Sequence, residues 1–200
     1  MTITVSSDAG GTYGSIAVNG VEKLRLNADG SATLDGNPVQ RYKVLGTKPT
    51  TSGTTIDFSP NTDSAIPSWA NRVTLSLQDV TTNGGSLVIV RLGDSSGFYS
   101  SGYAGSATYY ISGTQGSTDP LSSGFGIFIG GTNIYRFGTI TFTRLTGNKW
   151  LAVGQVSHAG GCSWVTGVKV LTGSLDRLRI TTVNGTDTFT QGEVSLIAEG

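Results

Sequence analysis

The chain has 200 residues, 30 of them glycine, with 13 basic and 13 acidic side chains and a formal net charge of zero. That length holds one domain with a smaller accessory region, or two small domains. No basic stripe is present to track a phosphate backbone, and no apolar stretch approaches the roughly 18 residues of a membrane helix, so neither nucleic acid nor a membrane is an expected partner.

Glycine at about twice its average share, scarce helix-surface residues, and short runs of Thr, Val, Ile and aromatics point to a many-stranded β protein. Met1-Thr2-Ile3-Thr4-Val5 lacks the basic and apolar regions of a secretory signal. The single cysteine, Cys162, leaves no intramolecular disulfide framework and fits a reducing cytoplasm. Low charge with little mutual repulsion suits a protein that ends in an assembly.

The first strands form a meander. Ser15-Ile16-Ala17-Val18 alternates and is followed by Asn19-Gly20, a pair that tolerates the positive φ of a type I′ hairpin turn. Glu22 to Leu26 alternates again with Leu24 and Leu26 on one face, Asn27 to Gly30 turns the chain, and Ala32 and Leu34 continue the apolar face before Asp35-Gly36-Asn37-Pro38 closes the unit. Such a ribbon has little core of its own and must lean on something else. Residues 46 to 53 have linker composition. Beyond them Val73, Leu75 and Leu77 alternate with polar residues, and Leu87 to Leu92 reads as a strand buried on both faces. Further strands are expected at 139–143, 150–156, 177–180 and 194–198, with a turn at Thr146-Gly147-Asn148 and at most one short helical turn at Ser68-Trp69-Ala70-Asn71. Turn signals recur at the spacing of a sandwich or barrel.

From about residue 52 onward the chain resembles the C-terminal module of bacteriophage and prophage tail-fibre proteins. The likeness lies in Thr54 to Phe58 followed by Ile66-Pro67-Ser68-Trp69-Ala70-Asn71-Arg72-Val73-Thr74-Leu75, in Ser101-Gly102-Tyr103, and most closely in Leu175 to Phe189 with the closing run Gly192 to Ile197. Ser59 to Ala65 looks like an insertion in that pattern. The motif residues have structural roles to fill: Pro67 fixes an extended backbone before a strand, Trp69 and Trp150 suit core positions, and Asp176-Arg177 and Asn184-Gly185-Thr186-Asp187 suit strand-edge and hairpin positions.

Chemistry-bearing patterns are sparse. Gly93-Asp94-Ser95-Ser96-Gly97 matches G-x-S-x-G, but a nucleophile elbow needs a helix after the serine, and Phe98-Tyr99-Ser100-Ser101-Gly102 reads as loop or strand. A triad Ser95, Asp119 and His158 would use the only histidine. His158 and Cys162 form an isolated H-x₃-C pair, half of a closed zinc site; three His158 side chains on a symmetry axis are the one other metal route. No motif singles out a pair of glycosidase carboxylates. The best ligand-binding candidates are Tyr99 and Tyr103, set among glycine and serine, a chemistry suited to neutral sugars. Tyr109 and Tyr110 are expected to straddle a strand with one ring buried.

The expected fold is all-β: an antiparallel jelly-roll-like β-sandwich over residues 46–200, preceded by a short N-terminal β-meander over residues 1–45 for virion attachment or trimerisation. The resemblance implies a non-enzymatic bacteriophage virion protein of tail-fibre type, located in the virion after assembly in the host cytoplasm. It would act in host receptor binding at a surface glycan, as a homotrimer docked on other virion proteins, with no cofactor, catalytic residue or metal. Capsid decoration or a head fibre is the architectural alternative, and a glycan-cleaving enzyme ranks last.

Overall fold

The structure, a computed structural model, describes residues 3–7, 14–27, 32–35, 37–117, 121–127, 131–158 and 160–200. Among these there is no α-helix, only one 3₁₀ turn at Pro60–Thr62. The chain divides into two compact units, Met1–Tyr42 and Lys43–Gly200.

The first unit is one antiparallel sheet in chain order: β1 (Ile3–Ser7), β2 (Gly14–Val18), β3 (Val21–Leu26), β4 (Ala32–Leu34) and β5 (Asn37–Pro38). Asn19 and Gly20 carry φ of 51° and 76°, the two positive values a type I′ turn needs. A register shift between Ile16 and Ala17 puts Leu24 opposite Ile16 and Val21 opposite Val18. This bulge keeps both apolar pairs on one face. Of the expected turn at Asn27 to Gly30, residues 28–30 lie outside the described residues, as does Gly36.

Among the described residues, the second unit is built from thirteen strands in two sheets. They are β6 (Tyr42–Pro49), β7 (Thr55–Phe58), β8 (Arg72–Thr82), β9 (Val88–Asp94), β10 (Gly97–Phe98), β11 (Tyr103–Ile111), β12 (Thr114–Ser117), β13 (Phe125–Ile127), β14 (Arg136–Arg144), β15 (Lys149–His158), β16 (Gly161–Val170), β17 (Arg177–Thr182) and β18 (Phe189–Glu199). The smaller sheet runs β10-β9-β17-β7, with β13 on the same edge of β9 as β10. The larger sheet has eight strands in the order β12-β11-β16-β15-β14-β8-β18-β6. Strands β7, β9 and β17 of one sheet interleave in sequence with β8, β14 and β18 of the other, which is the jelly-roll-like, antiparallel sandwich expected.

The core lies between the sheets. Phe58, Leu92, Leu178 and Ile180 from the smaller sheet and Leu75, Phe142, Ala152 and Leu196 from the larger belong to one hydrophobic cluster. The ring of Phe125 on β13 sits 5.7 Å from that of Phe142 on β14. Burial of each such side chain contributes about 1.5–3 kcal/mol. Trp150 is buried and Trp69 packs half-buried against the same cluster, the core positions expected for both.

One local expectation is corrected. Residues 46–49 are not linker; they complete β6, an edge strand, where Gly46 at φ 101° and a proline are tolerated. Leu45 on that strand belongs to the sandwich core. Ser59 to Ala65 contains the 3₁₀ turn, pinned by the Thr62 hydroxyl, which donates to Asp57 O or Ser59 O and accepts from Ser59 N.

Candidate functional site

Tyr99, Tyr103 and the Asp94 of the G-x-S-x-G string meet in one knot. Asp94, at the end of β9, is fully buried. It accepts hydrogen bonds from Ser96 N (2.9 Å), Gly173 N (2.7 Å), the Tyr99 hydroxyl (2.9 Å) and the Thr172 hydroxyl (3.0 Å). Burial pushes its carboxyl up, but these four donors outweigh burial and hold it at about 2. Lys169 lies over the rings of Tyr99 (4.3 Å) and Tyr103 (5.1 Å) and donates to Ser101 O at 2.8 Å. Burial lowers its ammonium, and the charge of Asp94 acts in the opposite sense. The knot ties the β9–β10 hairpin and the segment 99–103 to the loop after β16. It holds backbone in place.

That geometry corrects the expectation for Tyr103. It is only 5% exposed. Its hydroxyl accepts from Leu92 N and donates to Leu92 O or Tyr99 O, burial raises its phenol, and its ring meets Phe125 edge-on at 5.0 Å. No ring face is left for a sugar. Tyr99 is half-buried, with its hydroxyl committed to Asp94 and Thr172.

The enzyme-like and metal-like patterns are likewise placed. Ser95 is exposed in the two-residue turn between β9 and β10, where Asp94 pairs with Gly97, so a strand follows it and not a helix. His158 belongs to the other sheet, and Asp119 lies outside the described residues. His158 pairs across a hairpin with Gly161, and Ser157 with Cys162. Alternation along β15 buries His158 with Trp150, Ala152 and Val156, whereas Cys162 stands half-buried on the opposite face. The two side chains therefore leave opposite faces of the sheet and cannot share an ion. Among the described residues no three His, Cys, Asp or Glu side chains gather as a metal site.

Two surfaces remain. The first is the outer face of the eight-stranded sheet. One cross-strand row reads Phe137, Ser157, Cys162, Tyr110 and the next Thr139, Gln155, Trp164, Thr108. Directly opposed residues share a face, so three aromatic rings stand on one plane among hydroxyl, thiol and amide groups. Phe137 is 45%, Trp164 46% and Tyr110 48% exposed. The following row, Thr141, Val153, Thr166 and Ser106, also carries no charge. Neither member of the Tyr109–Tyr110 pair is buried as expected: Tyr110 joins the outer face, and the Tyr109 ring lies against Gly116 on β12, where a Cβ would collide with it.

The second surface is one face of the meander. Val5, Ile16, Leu24 and Leu34 are opposed in a row across four strands, with Ile3, Val18 and Val21 in the row beside them. A single sheet has no second layer to cover them, and none of the unit's described side chains is buried. A depression of 140 Å³ between Val5, Ile16, Leu24 and Leu26 is lined chiefly by carbon. The charged pairs Arg25–Glu22 and Lys23–Asp35 tie neighbouring residues of the same sheet.

Trp164 and Phe137 were missed in the sequence. The only signal was alternation along Gly161–Val170, and it misleads. The inward set includes Ser163 and Lys169 while the outward set includes Trp164 and Val168. No family model, no curated protein and no solved structure matches the chain, so fold and surface chemistry carry the functional argument.

Proposed function

We propose that this chain is a non-enzymatic structural protein of a bacteriophage virion, of tail-fibre type, that trimerises through its meander and adheres to a host surface glycan through its sandwich. The carrying observation is the meander's uncovered apolar face. Each large apolar side chain gains about 1.5–3 kcal/mol on full burial, so seven left exposed or half-buried forgo on the order of 10 kcal/mol. The face is free of charge along both rows and self-compatible, so further copies of the same chain can seal it without burying an unpaired charge. The likeness of Leu175 to Phe189 and of Ile66 to Leu75 to tail-fibre modules supports the virion assignment. The setting of Ser95, in a hairpin turn next to a structural carboxylate, supports a binding role over a hydrolytic one.

Light scattering on the full chain tests assembly: the expected mass is three times the 20.7 kDa chain, and a monomer at high concentration overturns the trimer. Immunogold labelling of particles with an antibody to the sandwich tests location. Label at tail ends is expected. Label over the head shell would replace the leading assignment with capsid decoration or a head fibre, and particles without label would overturn the virion reading altogether.

A further inference from the structure

We infer that the outer face of β14, β15, β16 and β11 is a binding site for a neutral polysaccharide, with Trp164 and Tyr110 as stacking platforms and Gln155 and Thr108 as the hydrogen-bonding groups beside them. This rests on the adhesion role proposed above and gives it a place and a ligand class.

Three features select the ligand. The aromatic rings are exposed yet anchored on paired strands, so they offer broad apolar area at little conformational cost. Their cross-strand neighbours are neutral donors and acceptors: Trp164 lies between Gln155 and Thr108, Phe137 faces Ser157, and Tyr110 lies between Cys162 and Gln115. A sugar ring alternates in the same way, with a C–H face that stacks on an aromatic ring and a rim of hydroxyls. The third feature is the absence of formal charge from the three described rows. Three of the unit's cations are engaged away from these rows: Arg72 pairs with Glu199, Arg179 with Asp57, and Lys169 is buried over two tyrosine rings. An anionic glycan would meet no guanidinium or ammonium here.

The same chemistry separates this face from a protein interface. The core of a stable interface is contiguous apolar surface depleted of serine, as on the meander. Here each aromatic is isolated by polar neighbours. The layout also favours a polymer over a single sugar. With strands about 4.8 Å apart and alternate residues about 6.8 Å apart along a strand, Trp164 lies roughly 8 Å from Tyr110 and roughly 12 Å from Phe137. The rings thus lie along a flat track longer than one sugar. A site of this kind is weak alone, and an oligomer raises its avidity by orders of magnitude.

The test is an array of bacterial surface polysaccharides, neutral and anionic, probed with the full-length oligomer. Binding to neutral members is expected, reduced at least tenfold by Trp164→Ala, with light-scattering mass and melting temperature unchanged. Binding only to anionic members, binding to none, or neutral binding that Trp164→Ala leaves intact overturns the inference. Loss of oligomer mass in Trp164→Ala would also overturn it, because the face would then be a subunit interface. Should that variant unfold, Thr108→Glu puts a charge on the same face without removing a ring. A tenfold loss of neutral binding is expected, and unchanged binding is fatal. The virion assignment stands or falls separately: unlabelled particles would sink it and leave an array result standing, whereas tail label with no Trp164-dependent binding would sink only the site.

Discussion

In the meander, Val5, Ile16, Leu24 and Leu34 form an apolar row across four strands, and Val5 keeps 74% of its surface exposed. In the sandwich, Ala198, Val73, Phe142 and Ala152 form an equivalent row across four strands, and all four are buried. The strand chemistry is the same; what differs is whether the unit itself is built with a second sheet. A sheet that carries its own cover needs no partner for folding and leaves its outer face free for a ligand, the role inferred above for the ring-and-hydroxyl surface around Trp164. On the proposed reading, a sheet without one offers its apolar face for association. The two units would then divide the labour between assembly and recognition, and each can be perturbed without the other.

The largest effect is expected from charge on the meander's apolar row. Leu24→Asp places a carboxylate at its centre, where burial against another copy would cost several kcal/mol. The oligomer is expected to fall to the 20.7 kDa monomer while the thermal transition of the sandwich persists. Deleting residues 1–41, which spares Leu45 in the sandwich core, is expected to give the same monomer with β-rich circular dichroism. An oligomer that survives Leu24→Asp would show that the row is covered by something other than its own copies. An unfolded truncation would show that the sandwich depends on the meander.

Phe142→Ala sharpens the comparison from the other side. Phe142 is fully buried between the sheets, and truncation of such a ring costs about 3–5 kcal/mol. Denaturant titration should show that loss, whereas Val5→Ala should leave the sandwich transition within about 0.5 kcal/mol and weaken association instead. Equal effects of the two changes on the sandwich transition would erase the distinction between the units.

Much of this contrast was legible in the residues. Asn19-Gly20 fixes the first hairpin, the shared face of Leu24, Leu26, Ala32 and Leu34 follows from alternation, and Leu87 to Leu92 announces a doubly buried strand. The binding surface was not legible, for a physical reason. On β11 the sets Tyr103, Gly105, Ala107 and Ala104, Ser106, Thr108 are both uncharged and, Tyr103 apart, small, so alternation alone does not say which faces the core. Register with β16 decides it, pairing Tyr103 with Lys169 and Tyr110 with Cys162. Tyr103 thereby points inward, against what its Gly/Ser-rich setting suggests, and Tyr110 points outward. Lys169 misleads in the same way, since its burial depends on two tyrosine rings and a carbonyl from distant segments.

A smaller effect is expected at Asp94, and it carries a pH signature. Its carboxyl is held at about 2 against an ordinary 3.8, a difference worth roughly 2 kcal/mol at 1.36 kcal/mol per unit. Because the folded-state value is the lower one, this stabilisation is complete above about pH 4 and is lost as pH falls towards 2. Equilibrium unfolding of the wild type should weaken across that window, and Asp94→Asn should start less stable by about 2 kcal/mol and lose that part of the slope. Oligomer mass at neutral pH should not change, since the knot belongs to the sandwich alone. A wild-type acid profile identical to that of Asp94→Asn would show that the four donors do not stabilise the charge.

The smallest effect is expected at Cys162, and it tests whether assembly is confined to the meander. Cys162 stands half-buried in the outer row, between Ser157 and Tyr110. Serine is nearly the same size, its neighbour is already a hydroxyl, and partial exposure keeps desolvation small. Cys162→Ser is therefore expected to change stability by no more than about 0.5 kcal/mol and to leave light-scattering mass and polysaccharide binding as in the wild type. A thiol on a face open to solvent should also react with a maleimide at the same rate in the oligomer and in the Leu24→Asp monomer. Protection in the oligomer alone would place another copy over the outer face. The aromatic rows would then belong to assembly as the meander does, and the division between a face that associates and a face that binds would fail at the residue best placed to report it.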